Sequence, residues 1–215
     1  MNYVEKEIHI NNQRLILNNL RAVFWADHKS IIVSDLHVGK SKHFRKHGIP
    51  ISSKVQESDL ERLHFLITLY KPERLIIVGD LFHSGHKDEV SIFKKWLERF
   101  PLLEVHLIKG NHDRISSNSP AVNNLYIYDD ELKLTPFIFV HIPIDAVKDF
   151  TISGHLHPGI RLKARGRPGI TLPCFKLCKT QLVLPAFSLF TGLATESIRK
   201  SNSYYAFTDT SFYEF

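Results

Sequence analysis

Five short apolar runs in this chain each end at a residue whose side chain can bind a metal ion. The first run, Ile31 to Ser34, leads directly into Asp35 and His37. The other four, some after a glycine, lead into Asp80, into Asn111-His112-Asp113, into His141 and into His155-x-His157. Apolar runs closed by a polar residue are typical of buried parallel strands whose carboxyl ends face one crevice. We therefore expect an α/β fold with its functional site at these strand ends.

The first of these motifs places an Asp and a His only one residue apart. In an extended segment, residues two apart point to the same side, so the Asp35 carboxylate and the His37 imidazole can converge on one cation. Taken alone, an Asp-x-His pair is more often part of a surface turn. The four later strand ends reverse that balance, because they supply further oxygen and nitrogen ligands at the same position relative to a predicted strand.

Length and composition limit the number of domains, the location and the kind of partner that we expect. The chain has 215 residues, enough to bury a large core, and we expect a single domain spanning residues 1–215. The N-terminus carries charge where a signal peptide needs an apolar core, and no run approaches the roughly 18 apolar residues of a membrane span. A cytoplasmic protein that does not contact membranes is expected. The net charge of +6 favours an anionic partner, and Cys174 and Cys178 are expected to stay reduced.

Two stretches between the first three runs have helical periodicity. Apolar residues at helical spacing predict one crossover helix that starts at Ser53, where Ser53 and Gln56 resemble a capping box. A second predicted helix runs from Asp88 to Phe100. Alternation of strand and helix predicts parallel βαβ units over residues 31–108.

The two ends of the chain have the shorter period of strands. Residues 8–17 predict a hairpin that turns at Asn11-Asn12, and residues 23–25 predict a further strand. Beyond residue 135 the helical period disappears, and short apolar runs at Ile170 to Leu172, Gln181 to Leu184 and Tyr204 to Phe207 are separated by Gly, Pro and Thr. These runs predict a second, largely antiparallel sheet.

In their order along the chain, the polar strand ends resemble the five motifs of the calcineurin-like metallophosphoesterases: Asp35-x-His37, Gly79-Asp80, Gly110-Asn111-His112-Asp113, His141 and Gly154-His155-x-His157. The resemblance implies a four-layer sandwich of two β-sheets flanked by helices. Within that superfamily, DLHVGKSKHFRKHGIP, GDLFHS, GNHDR, GHLHP, LPCF and LPAF resemble segments of the bacterial ligase-associated DNA-damage-response phosphoesterases, the PdeM family. One local departure is Leu193, which stands where the resemblance implies a second glycine after Gly192.

The resemblance also implies a centre with two divalent metal ions. Asp80 is implied as the bridging ligand; Asp35, His37 and His157 complete the set of one ion, and Asn111, His141 and His155 that of the other. In such centres, ions roughly 3.5 to 4 Å apart clamp a phosphate, and a bridging hydroxide attacks phosphorus in line. Nitrogen and oxygen ligands without thiolate favour Mn²⁺, with iron or zinc as alternatives.

Two histidines outside the implied ligand set are candidates for other roles. His112 is expected to stabilise or protonate the leaving oxygen, with Asp113 orienting its ring. His83 either reaches the site from beside Asp80 or hydrogen-bonds a backbone carbonyl.

Basic residues follow both the first and the last motif. They either grip a nucleic-acid backbone or form a solvated basic face, and Phe44 is placed to stack on an unpaired base. The basic residues are Lys40, Lys42, Arg45 and Lys46, and then Arg161, Lys163, Arg165 and Arg167. The candidate substrate-binding residues are His83, Lys40, Arg45 and Arg114.

Three functions remain open on this basis. The first is a metal-dependent phosphodiesterase or endonuclease that acts on DNA in ligase-associated repair, with a DNA ligase, a helicase and an exonuclease as neighbours implied only by the family. The second is an enzyme that hydrolyses small phosphoesters or nucleotides. The third, a metal-free interaction scaffold, is least favoured because the ligand set is complete. Phosphoprotein and purple acid phosphatases fit poorly, since the chain lacks GDxVDRG and has His83 in place of the metal-binding tyrosine.

Overall fold

The computed structural model describes residues 2–46, 54–84, 87–115, 124–144, 148–163 and 169–215, with the backbone alone at residues 42, 43, 46 and 54–56. The predicted capping box of Ser53 and Gln56 lies outside this description. Two β-sheets pack face to face, which is the two-sheet arrangement that the resemblance implied. No described helix has the length and apolar character needed to cross a membrane.

The first sheet has seven strands in sequence order. They are β1 (Glu5–Ile10), β2 (Gln13–Asn18), β3 (Ala22–Trp25), β4 (Ser30–Val33), β5 (Arg74–Val78), β6 (Glu104–Ile108) and β7 (Leu125–Tyr128). Strands β1 to β4 pair antiparallel, and β4 to β7 pair parallel. The predicted hairpin is confirmed: Asn11 and Asn12 have φ of 50° and 61°. Two positive φ angles in a two-residue turn match the twist of the flanking strands.

Within the described residues, three α-helices accompany the parallel half of this sheet: α1 (Lys40–Lys46), α2 (Lys54–Tyr70) and α3 (Lys87–Leu97). The two predicted crossover helices are therefore confirmed. Helix α3 ends before the expected Phe100, because the N–H groups of Arg99 and Phe100 bond to carbonyls only three residues back. This tighter turn leads into Pro101.

The second sheet runs in the order β14-β11-β12-β13-β10-β9-β8, and β15 pairs with β12 and β16. Its strands are β8 (Glu131–Leu134), β9 (Phe137–Val140), β10 (Phe150–Ser153), β11 (Pro158–Leu162), β12 (Ile170–Leu177), β13 (Gln181–Val183), β14 (Ala194–Thr195), β15 (Ser203–Phe207) and β16 (Phe212–Glu214). Most pairs are antiparallel, as expected, but β10 is parallel to both β9 and β13, and β11 is parallel to β14.

The central strands are apolar on both faces because both faces are covered. In β4, Ile31 and Val33 join the cluster under α2 and α3, whereas Ile32 faces the core between the sheets. That inter-sheet core also holds Trp25 and Phe139, both fully buried. Continuous burial of this kind explains why these strands read as apolar runs rather than as alternating patterns. Cys174 and Cys178 form no disulfide.

Candidate active site

The predicted metal ligands converge at one edge of the sandwich, and they come from both sheets. Asp35, His37, Asp80 and Asn111 follow β4, β5 and β6 of the first sheet, and His141, His155 and His157 follow β9 and β10 of the second. The five apolar runs therefore do not all belong to one sheet. Their carboxyl ends still meet, because the two sheets present the same edge to the site.

Five of these seven residues have a left-handed backbone conformation. Asp and His adopt this region more readily than most residues, although each such residue still costs on the order of 1 kcal/mol. Hydrogen bonds hold the first motif in place: the Asp35 N–H donates to the Gly79 carbonyl at 3.0 Å, and the His37 N–H donates to the Asp80 carbonyl at 2.9 Å. The φ angles are 53° at Asp35, 47° at His37, 51° at Asp80, 68° at His155 and 47° at His157.

Asp35, His37 and His157 form one group of donor atoms, in which one ligand atom from each residue lies within 4.8 Å of the others. Oδ1 of Asp35 is 3.2 Å from Nε2 of His157. Both atoms are buried, and within the described ranges neither has a hydrogen-bond partner. Two such atoms facing each other fit a shared cation, since buried polar atoms are otherwise nearly always paired.

A second group of donors lies beside the first. Nε2 of His141 is 3.1 Å from Oδ1 of Asn111 and 3.2 Å from Nδ1 of His155. Nδ1 of His141 donates to the Val78 carbonyl at 3.1 Å. Because a carbonyl can only accept, this bond places the proton on Nδ1 and leaves the lone pair of Nε2 directed at the site, the usual orientation of a metal-binding histidine.

The Asp80 carboxylate lies between the two groups. Its Oδ2 is 3.8 Å from Nε2 of His37 and 3.6 Å from Nε2 of His141. Its Oδ1 accepts the N–H of His112 at 3.0 Å, which fixes the plane of the carboxylate. Asp35 is also close to Asp80 and His141, with ligand atoms within 4.8 Å, so the two groups share one continuous cluster of donors.

Two glycines allow this close approach. Gly79 has a φ of +82°, and a Cβ added there would lie 1.9 Å from Nδ1 of His141. A Cβ on Gly110 would lie 2.1 Å from Oδ1 of Asp80. Any side chain at either position would displace a donor, so the motif glycines are required by packing against the donors.

The surroundings keep two of the donors, His37 and Asp35, in the protonation states that bind metal. Burial, with the nearby Lys40 charge, lowers the pKa of His37 to about 3 and keeps its ring neutral. Burial by itself raises the pKa of Asp35, but the nearby His157, together with Ser34 and His141, outweighs burial and holds this pKa below its ordinary value. A neutral imidazole and an ionised carboxylate are the ligand forms of these groups.

His112 lies beside the donors, but the expected role of Asp113 is wrong. The Asp113 carboxylate accepts the N–H groups of Phe82 at 2.8 Å and Gly110 at 2.9 Å, and so it ties two motif loops together. Burial raises its pKa to about 6. The ring of His112 is instead oriented by the backbone: its Nδ1 bonds the His83 carbonyl at 3.1 Å. The partner of His112 is thus a main-chain oxygen of the preceding motif and not the neighbouring carboxylate of Asp113.

Of the predicted substrate-binding residues, His83 and Lys40 lie near the donors. The ring of His83 stacks on that of His112 with centroids 5.6 Å apart, and it lies 6.0 Å from the ring of His37. Lys40 lies at the start of α1, where burial lowers its pKa while the charges of Asp35 and Asp80 oppose that shift.

The other basic residues show no described contact with the donors. Arg45 and Arg114 are exposed, as are Arg161 and Lys163 of the second basic segment. The side chains of Lys42 and Lys46, and all of Arg165 and Arg167, lie outside the described residues.

Sequence reasoning missed a polar cluster behind the first motif, which we call the arginine clamp: the buried Asp59 and Arg62 and the half-buried Arg21. The Arg62 guanidinium donates to the Phe187 carbonyl, lies 3.1 Å from Oδ1 of Asp59 and stacks 4.3 Å from the centroid of the Phe187 ring. Arg21 donates to the carbonyls of Ala186 and Ser188, both at 3.1 Å. The clamp therefore fixes the loop that follows β13.

That loop in turn supports the first motif. The Phe187 N–H donates to the Ser34 carbonyl at 2.7 Å, and the Ser188 N–H donates to the Asp35 carbonyl at 3.1 Å. On a helix, Asp59 and Arg62 look like an ordinary solvated pair, and only the LPAF segment hinted that this region matters.

Comparison with known proteins agrees with this geometry. The family model described as calcineurin-like phosphoesterase matches residues 28–174, more than half of the chain. The protein in the crystal structure of Pseudomonas putida nuclease MPE is 29% identical in sequence to this chain, and the two structures match with a TM-score of 0.83. The match covers 99% of this chain and 100% of that one. YfcE, a phosphoesterase from E. coli, is 14% identical with a TM-score of 0.40, over 86% of this chain and 97% of that one. The comparison with curated proteins gave no match. The chain therefore belongs to the calcineurin-like phosphoesterase family and is a metal-dependent phosphoesterase.

Proposed function

We propose that this protein is a nuclease that hydrolyses phosphodiester bonds of DNA with two divalent metal ions, Mn²⁺ being favoured. The observation that carries the proposal is the position of Asp80 Oδ2, between His37 on one side and His141 on the other. A carboxylate with histidine donors on both sides suits a pair of ions better than a single ion. The likeness to a nuclease over nearly the whole chain supports the choice of substrate.

The side chains of the site fall into two sets, one for each proposed metal ion. When bound, two divalent ions supply Lewis acidity and activate water for in-line displacement at phosphorus. Asp35, His37, Asp80 and His157 would hold one ion, and Asp80, Asn111, His141 and His155 the other. Asn111 is neutral, so the two carboxylates of Asp35 and Asp80 leave a surplus of positive charge that favours an anionic diester.

His112 is positioned to assist the leaving oxygen. Its ring is 5.3 Å from that of His37, and its Nδ1 is occupied by the His83 carbonyl. Nε2 is therefore the nitrogen that can donate to the leaving oxygen. Lys40 adds a positive charge on the same side of the site.

Activity of the metal-stripped protein, refilled with single ions, tests the proposal. We expect Mn²⁺ to restore cleavage of bis(p-nitrophenyl) phosphate and of labelled DNA oligonucleotides, with iron or zinc less effective. Magnesium alone serves as the comparison ion, because it prefers oxygen ligands to imidazole. Turnover of small diesters with no cleavage or binding of DNA under any ion would replace DNA with a small phosphoester as the substrate.

A role in ligase-associated DNA repair is a further part of the proposal. It is supported only by the PdeM-like segments of the sequence, such as GDLFHS and GHLHP. On that basis, a DNA ligase, a helicase and an exonuclease are the proposed functional neighbours.

Substituting His112 with alanine is expected to lower kcat on bis(p-nitrophenyl) phosphate by about 10²-fold, the usual scale for a lost general acid. Bound metal, measured by elemental analysis, should be unchanged, because His112 contributes only its backbone N–H to the donor cluster. The exposed His9 provides the control, and His9→Ala should keep full activity. A loss of metal in the His112 variant would instead make this residue a ligand.

A further inference from the structure

We propose that Phe44, Phe190 and Lys40 form a nucleoside subsite next to the metal centre, where the base attached to the cleaved phosphate stacks on aromatic rings. The inference rests on the proposed function, and it names the part of the substrate that the enzyme recognises beyond the phosphate. We call these three residues the aromatic platform.

A continuous row of rings connects the donors to the platform. The ring of His112 is 5.3 Å from that of His37, and the ring of His83 stacks on His112 at 5.6 Å with an interplanar angle of 16°. Phe44 lies 6.2 Å beyond His83, and Phe190 packs edge-on against Phe44 at 5.4 Å. A group esterified to a phosphate at the donors would therefore meet aromatic surface directly.

The platform is not part of the structural core. Phe44 and Phe190 are half-buried, and neither belongs to the three buried clusters of the described residues. Phenylalanines that serve packing here, such as Phe82 and Phe93, are fully buried. Partly exposed rings beside a catalytic centre are typical of surfaces that stack on bases.

The loop that carries Phe190 of the platform is held rigidly relative to the donors. The Phe190 N–H donates to the Ser188 hydroxyl at 3.1 Å, and the Ser188 N–H donates to the Asp35 carbonyl. Through the arginine clamp the same loop is fixed to helix α2. A rigid platform loses little entropy when a base stacks on it.

Charge on the platform selects for an anionic aromatic ligand. Nζ of Lys40 lies 5.8 Å from the centroid of the Phe190 ring, and the carboxylates of Asp35 and Asp80 act on it. One residue thus links the ring that stacks to the site that binds the phosphate. A nucleoside phosphodiester carries both features, whereas an aliphatic phosphodiester carries only the charge.

Two substrates with the same leaving group test this subsite: a p-nitrophenyl ester of thymidine phosphate, as the 5′ and 3′ isomers, and methyl p-nitrophenyl phosphate. Phe44→Leu and Phe190→Leu should each lower kcat/KM on at least one thymidine isomer by about tenfold, since stacking on a base contributes about 1–3 kcal/mol. Turnover of the methyl ester should change by less than about twofold. Phe190→Trp, which keeps an aromatic ring at this position, should keep the preference for thymidine, and Tyr213→Leu, at an exposed ring outside the platform, should have no effect.

The outcomes separate the subsite from the proposed function. Equal losses on thymidine and methyl esters, or no loss on either thymidine isomer, would overturn the aromatic platform while leaving the nuclease proposal intact. Absence of turnover of both diesters by the unaltered protein with every ion would overturn the proposed function, and the subsite with it. Melting temperatures of the variants show whether any loss reflects unfolding.

Discussion

The Asp80→Ala variant is expected to lose both its bound metal and its turnover. The Asp80 carboxylate lies between the two groups of donors, so no other side chain can take its place for both. Bound ions contribute several kcal/mol to such reactions, and each 1.36 kcal/mol is a factor of ten, so kcat on bis(p-nitrophenyl) phosphate should fall by at least about 10³-fold. Elemental analysis of the purified variant measures the metal.

Controls for this variant have to separate the loss of the carboxylate from strain in the backbone at residue 80. Asp80 has a φ of 51°, where alanine is strained, whereas asparagine tolerates this conformation and keeps the shape of the side chain. Asp80→Asn should therefore melt close to the unaltered protein and still have little activity. Asp130→Ala, at an exposed carboxylate, should be fully active. Full activity in either Asp80 variant would remove this residue from the mechanism.

Substituting Arg62 with methionine is expected to destabilise the protein by about 3 kcal/mol, the scale for breaking a buried ion pair from one side. Arg62 is 4% exposed, and its loss would leave the buried Asp59 carboxylate without its nearest guanidinium. The Phe187 carbonyl would also lose its donor. The free energy of unfolding, from urea denaturation followed by circular dichroism, measures the effect.

The matched control for Arg62 lies on the same helix. Glu61 is exposed, and Glu61→Met should change the free energy of unfolding by less than about 0.5 kcal/mol, as is usual for surface substitutions. Similar stabilities of the Arg62 and Glu61 variants would show that the arginine clamp is not needed to hold the loop after β13.

Local sequence was sufficient for much of the fold and for the proposed ligands. Strands β4, β5 and β6 are covered on both faces, so most of their residues are apolar and each strand could be recognised as an apolar run. The polar residue after each run showed where the strand ends. Helices α2 and α3 pack one face on the first sheet, which produced their helical period. The glycines at 79 and 110 could be recognised as part of the site motifs, because the backbone lies too close to the donors there for any Cβ.

What the sequence did not predict depends on contacts between distant segments. The runs that form β6 and β9 look alike, and nothing within them says that they belong to different sheets. Asp113 is next to His112 in sequence, but its carboxylate bonds backbone N–H groups of another loop. Arg62 has the pattern of a solvated helical residue, and it is buried only because the loop after β13 folds over it.

Because the donors are divided between two sheets, the geometry of the active site depends on the distance between those sheets. The side chains between the sheets, Ile32 and Phe139 among them, set how far His141 stands from Asp80. A larger or smaller residue in that interior would shift one half of the site against the other, with no change to any ligand. The interior of this sandwich thus acts as a spacer for the chemistry at its edge, and its volume is constrained by more than stability.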